Sequence, residues 1–299
     1  MGEFFGRSGR NLPPINAVSL EQGAQQAKEV IKREEVSFEK FESIFGSENI
    51  RADKAYVENR KELFKKNQID ECGSNSATIF EAILHMRLKK GEWIDGVQAI
   101  KTNEFDDIAN GIDEVLRVID PETKEKRIAF AIDALTVGGG PLNVGIEKKM
   151  NRIHEDITSN KLPKIKYFLD EETKNVGIEN LPRIVVAADV KTMEELNELW
   201  MEKSDRNKLV RHPLQLQILE QIIEQSNQFS MFAKRDGKDE IAEKYNSIRL
   251  WARKKLEEKR KINKDFWNDN ARQVISNSLY MFKDTTQAAK KNKHWVASK

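Results

Sequence analysis

Three kinds of hydrophobic spacing follow one another along the chain. In residues 20–66 apolar side chains recur every three or four positions, as at Phe38, Phe41 and Phe45, which predicts helices with charged outer faces. After a break at Cys72-Gly73-Ser74 the same period sharpens into a helix over residues 77–90 that stops at Gly91. Between residues 97 and 190 the apolar residues gather instead in short β-rich runs, at 97–101, 114–119, 127–135, 165–168 and 183–188. One helix, over about 144–160, interrupts them. The polar, Pro-containing stretch from Asp120 to Lys126 suits an antiparallel hairpin between the second and third runs. After Thr192-Met193-Glu194-Glu195, a capping-box match, helical period continues to about Lys261, with Leu214, Ile218, Ile222 and Phe229 as its apolar stripe.

This pattern predicts an α/β protein. A Gly-, Arg-, Asn- and Pro-rich leader (1–18) precedes an N-terminal helical segment (19–73), an α/β core (74–190) and a helical subdomain ending in a basic tail (191–299). Within the core the expected order is helix, three strands, helix, strand, strand. With 33% charged and 38% hydrophobic residues, the composition suits a well-solvated protein. No window approaches the roughly 20 apolar residues of a spanning helix, and the start lacks an apolar stretch resembling a signal peptide, so no membrane partner and a cytoplasmic location are expected. Cys72 is the only cysteine, which removes a disulfide framework and a thiolate zinc cluster. His154-Glu155 begins like a zincin motif, but Thr158 stands where its second histidine belongs. Gly140 to Gly145 has Walker-loop spacing, but Ile146 and Glu147 follow in place of the phosphate-binding lysine and the hydroxyl.

The net charge of +2 is unevenly spread: residues 231–299 hold 18 Lys and Arg against 9 Asp and Glu, leaving 33 against 40 elsewhere. A partner carrying phosphates would explain the basic third, and so would a solvated helix surface with a basic tail. The segment from Trp251 to Lys264 poses the same choice. It reads as a surface tracking a phosphate backbone with Trp251 as a stacking platform, or as one charged helix with a few buried anchors.

Asp113 opens the first hairpin strand, Asp133 lies near the end of the second, and both are equidistant from Thr123. The simplest register therefore pairs them directly, with Cβ atoms about 4.5 to 5.5 Å apart, where like charges destabilise. A divalent cation would compensate, since Mg²⁺ is commonly held by one or two carboxylates with water and substrate phosphates. A different register, or an aspartate that merely caps a loop, would remove the need. Asp133 also ends the apolar run that begins at Arg127, where a buried carboxylate is costly unless paired or coordinated.

With this element order and these two aspartates, residues 74–190 resemble the PD-(D/E)xK nuclease superfamily, whose members share a restriction-endonuclease-like core. The resemblance implies Mg²⁺- or Mn²⁺-dependent hydrolysis of phosphodiester bonds in DNA or RNA, with Asp113 and Asp133 as catalytic metal ligands. The family's lysine usually follows two residues after the second acid; Leu135 stands there, and the family tolerates relocation of the lysine to the following helix. Ile146, Met150, Ile153 and Ile157 define the buried face of that helix. Lys149 lies at its edge and Lys148 points nearly away. Lys149 is therefore the candidate, a surface lysine snorkelling from the helix edge being the alternative. A glutamate on the family's first helix often contacts the metal or its water, and Glu81 occupies that stretch, although Thr78 to Glu81 also satisfies a capping box. Asp106 and Asp107 either reach the same site or make Asx turns. Restriction-like enzymes often use two sites to cut two strands, which adds a homodimer to the implied partners. Leu135 favours a rival, a catalytically degenerate module that binds nucleic acid or protein. A third possibility is an α/β interaction protein with purely structural aspartates.

Overall fold

The computed structural model describes residues 17–66, 71–120, 126–137, 144–202, 206–262 and 271–279. The first 16 residues of the expected leader, the hairpin connection at 121–125, the glycines after Val137 and the basic tail lie outside them.

The N-terminal helices are α1 (Ala17–Glu34), α2 (Glu42–Phe45), α3 (Ser47–Lys66) and α4 (Glu71–Lys89), with a 3-10 turn at Phe38–Phe41 before α2. Strands β1 (Val97–Lys101), β2 (Glu114–Ile119) and β3 (Lys126–Val137) follow, then α5 (Val144–Thr158), β4 (Ile165–Leu169), β5 (Val176–Ile178) and β6 (Arg183–Asp189). Helices α6 (Val190–Met201), α7 (Arg206–Val210), α8 (Leu214–Arg235) and α9 (Asp239–Ile262) complete the order, and 271–279 are again helical. The chain is thus α/β.

Antiparallel β1, β2 and β3 form a meander, and β6 joins β3 in parallel, giving the sheet order β1-β2-β3-β6. A parallel neighbour needs a crossover, here supplied through α5. β4 and β5 form a separate two-stranded sheet. The spacing predicts two strands after α5 and the structure has three. β5 is only three residues long with Gly177 at φ +75°, too short to display alternation.

Central β3 is buried on both faces. Phe130, Ile132 and Ala134 join the main core with Ile79, Phe80 and Ile83 of α4, whereas Ala131 meets Val115, Ile165, Phe168 and Leu181 on the other face. Two helix starts differ from the sequence expectation. α4 runs through Cys72-Gly73-Ser74, so Thr78 sits inside the helix and is not its N-cap residue. α6 follows β6 directly, and Asp189, not Thr192, is its N-cap, accepting the Thr192 N–H at 2.8 Å.

Helix α8 closes the outer side of β6. Gln225 accepts the Val185 N–H (3.0 Å) and donates to the Val185 carbonyl (2.6 Å); Gln221 does the same for Ala187 (2.9 Å each way). Both glutamines are fully buried. Replacing Gln225 by Ala strands a buried donor and acceptor together, so a loss of about 2–3 kcal/mol is expected in urea denaturation. A loss below about 0.5 kcal/mol, the level of a surface substitution, would deny these bonds their role.

Trp251 is 9% exposed and its ring lies 5.6 Å from Phe130, so it anchors α9 to the sheet and is not a stacking platform. Neighbouring cations fasten α9 as well. Lys255 pairs with Asp95 and Glu258, Lys259 donates to Gln215 (2.7 Å), and Arg260 pairs with Glu220 (2.6 Å). Among the described residues no helix is long and apolar enough to cross a membrane.

Candidate active site

The β2–β3 ladder runs to Glu114 opposite Ile132, and one further step sets Asp113 opposite Asp133. Alternation places both on the face that carries Val115 and Ala131. Asp113 accepts the Ala134 N–H at 3.0 Å, and the two carboxyl groups lie close enough for each to act on the other's pKa. Burial, then the Asp113 charge, pushes Asp133 up to about 7. Burial acts on Asp113 in the same sense, but Lys149, Lys101 and the Ala134 N–H hold it below its ordinary value. One fold position thus holds a proton near neutrality beside one that does not.

Lys149 comes from α5, whose Ile146, Met150, Ile153 and Ile157 are buried as the helical spacing predicts. From the edge of that face its ammonium reaches the Asp133 carboxylate. Burial opposes its charge, but Asp133 and Asp113 raise its pKa.

A second lysine stands on the other side of Asp113. Lys101 ends β1, pairs with the Glu81 carboxylate of α4, and donates to the Asp113 carbonyl at 2.7 Å. Glu81 is driven up mainly by burial, opposed by Lys101. Lys101 is raised despite burial by the charges of Glu81 and Asp113. Sequence reasoning missed Lys101. Lys101 faces Glu114 in the β1–β2 ladder, beside Asp113, a register that the long connection through the π-helical turn at 106–110 hides from the sequence.

Asp106 and Asp107 separate on a π-helical turn, Asp106–Asn110, closed by Gly111 at φ +60°. Such turns recur at functional sites because they re-aim consecutive side chains. Asp107 turns toward Asp113, and lost hydration together with the Asp113 charge raises its pKa, although its outer surface meets solvent. Asp106 serves structure. It accepts the N–H groups of Lys166 (2.8 Å) and Tyr167 (2.9 Å) and the Asn110 amide (3.0 Å), tying the turn to β4.

The structure therefore brings Asp113, Asp133, Lys149 and Glu81 together and adds Lys101 and Asp107. Four carboxyl groups face two ammoniums, and the pKa values of Asp133 and Asp107 are raised. Among the described residues no group of three or more His, Cys, Asp and Glu is spaced to hold a metal ion. A pair of carboxylates suffices for Mg²⁺ when water and phosphate complete the octahedron, and the opposed, buried Asp113 and Asp133 are where a cation's charge would be accommodated. In chemistry the pair fits such an ion; Glu81, occupied by Lys101, does not offer a free carboxylate. No protein-family model matches the chain, and neither a curated protein nor a solved structure matches it significantly.

Proposed function

We propose that this chain is a metal-dependent nuclease with a restriction-endonuclease-like core formed by α4, β1 to β3, α5 and β6. The observation that carries the reading is the pairing of Asp113 with Asp133 at one end of the sheet, with Lys149 of α5 on Asp133. Leu135 occupies the usual lysine position, yet an ammonium arrives at the second acid from the next helix, which favours an active site over a degenerate one. Bound Mg²⁺ or Mn²⁺ would polarise the scissile phosphate and lower the pKa of an attacking water. Asp113 and Asp133 would hold the ion. Lys149, with 28% of its side chain exposed, is the cation a substrate phosphate can approach and stabilises the charge that develops on it. Lys101, 4% exposed, is a positioning residue that fixes Glu81 and the Asp113 backbone. Glu81 acts in this reading through Lys101 and not as a direct ligand.

The test is degradation of labelled single- and double-stranded DNA and RNA by the full chain in Mg²⁺ and in Mn²⁺, beside Asp113→Ala. Metal-dependent cleavage that disappears in the variant is the expected result. Binding without cleavage of any substrate would move the conclusion to a nucleic-acid-binding module, and neither binding nor cleavage would overturn both.

A further inference from the structure

Two arginines converge on the loop that joins Asp107 to Asp113. Arg183 opens β6, is 1% exposed, and donates from Nη1 to the Gly111 carbonyl at 2.5 Å. Arg152 lies on α5 three residues beyond Lys149, so the two side chains are neighbours on the helix surface. Its Nη2 donates to the Ala109 carbonyl at 3.3 Å, and its Nη1 occupies the space that a Cβ on Gly111 would fill, with Arg183 Nη1 3.6 Å from the same point. The guanidiniums thus stand side by side. Burial and the charge of Arg183 lower the Arg152 pKa, and the field of Asp133 reaches it. Asp156 acts on both and pairs with Arg183 Nε at 3.5 Å. Arg152 forms no ion pair among the described residues and faces solvent.

Holding the turn explains Arg183, which is buried and bonded at short range. It leaves most of Arg152 unexplained, because a single long bond uses one of five guanidinium donors. An exposed arginine with a second positive charge behind it, on the same helix face as Lys149, matches an anion that also touches Lys149's surroundings.

We propose that Arg152, backed by Arg183, binds the phosphate adjacent to the one that is cut, so that a nucleic-acid strand runs along α5 from Lys149 to Arg152. This inference rests on the nuclease reading and adds the course of the substrate backbone. Phosphate contacts carry little sequence information, so the contribution should be the same for unrelated sequences.

The experiment is steady-state cleavage of labelled oligonucleotides by the full chain in Mg²⁺ over a salt series. For Arg152→Ala, KM should rise about 5- to 20-fold with kcat within about twofold, and the salt dependence should flatten by about one phosphate contact. Arg152→Lys should keep the wild-type salt slope. The lysine variant also keeps the question open to test should alanine alter the helix, which a thermal scan detects. A wild-type KM in Arg152→Ala, or a fall in kcat alone, would overturn the subsite and leave the nuclease standing. Absence of cleavage by the wild-type chain would remove the nuclease reading and this inference with it.

Discussion

Asp133→Asn is expected to lower Mg²⁺-dependent cleavage by on the order of 10³-fold or more while making the metal-free protein more stable at pH 8. Both effects come from one feature. The Asp133 carboxyl is buried against Asp113, which raises it from its ordinary 3.8 to about 7. For an acid whose pKa is higher folded than unfolded, the folded state binds the proton more tightly. Its favourable contribution is therefore complete below about pH 4 and is lost as the pH climbs through about 7. At pH 8 the wild-type protein carries a buried anion that asparagine does not, a difference on the order of 2 kcal/mol that should vanish near pH 4. Mg²⁺ should raise the wild-type Tm at pH 8 and leave that of the variant unmoved. Cleavage should likewise increase as the pH passes 7, where Asp133 becomes free of its proton. Single-turnover rates and thermal scans at the two pH values measure all of this. A variant that cuts at the wild-type rate would remove Asp133 from the chemistry, and a Tm difference independent of pH would deny its raised pKa.

The largest loss of stability is expected for Lys101→Met. Lys101 sits among Glu81, Asp107 and Asp113, and its ammonium is the charge common to all three. A methionine fills a similar volume but leaves those groups uncompensated, a loss of about 3–5 kcal/mol at pH 8. Without the ammonium their folded pKa values move higher, so the deficit is greatest at alkaline pH and shrinks as falling pH protonates them. Urea denaturation at pH 8 and pH 5.5 checks the direction. A second change, Glu81→Gln, should restore part of the loss in the same protein and little on its own. A pH-independent deficit, or additive effects of the two changes, would mean that Lys101 contributes packing alone.

Much of this site could be read in the sequence because its geometry is periodic. The distance of Asp113 and Asp133 from the middle of their connection specifies a register, and the ladder carries that register to them despite a shift at Val118 and Ile119 near the turn. The edge position of Lys149 follows from the spacing of four isoleucines and methionines on α5. What could not be read lies across non-local contacts. Nothing within residues 97–101 says that Lys101 will be buried beside a helix residue 20 positions earlier. Asp106 and Asp107 are neighbours of identical chemistry, and only the π-helical turn sends one to β4 and the other to the site. Trp251 in a basic stretch resembles a stacking surface until Phe130 is found beneath it. Gln221 and Gln225 carry no signal of their own, since polar residues on a long helix ordinarily face water.

Those two glutamines also decide how the sheet can meet another molecule. An outer strand normally exposes alternate N–H and carbonyl groups to which a passing strand can add, a common origin of both dimers and aggregates. At Val185 and Ala187 these groups are taken up inside the molecule. β6 therefore presents no template for growth, although it belongs to the sheet as an end member. Addition of a strand from another molecule is thereby confined to the opposite, β1 edge of the sheet.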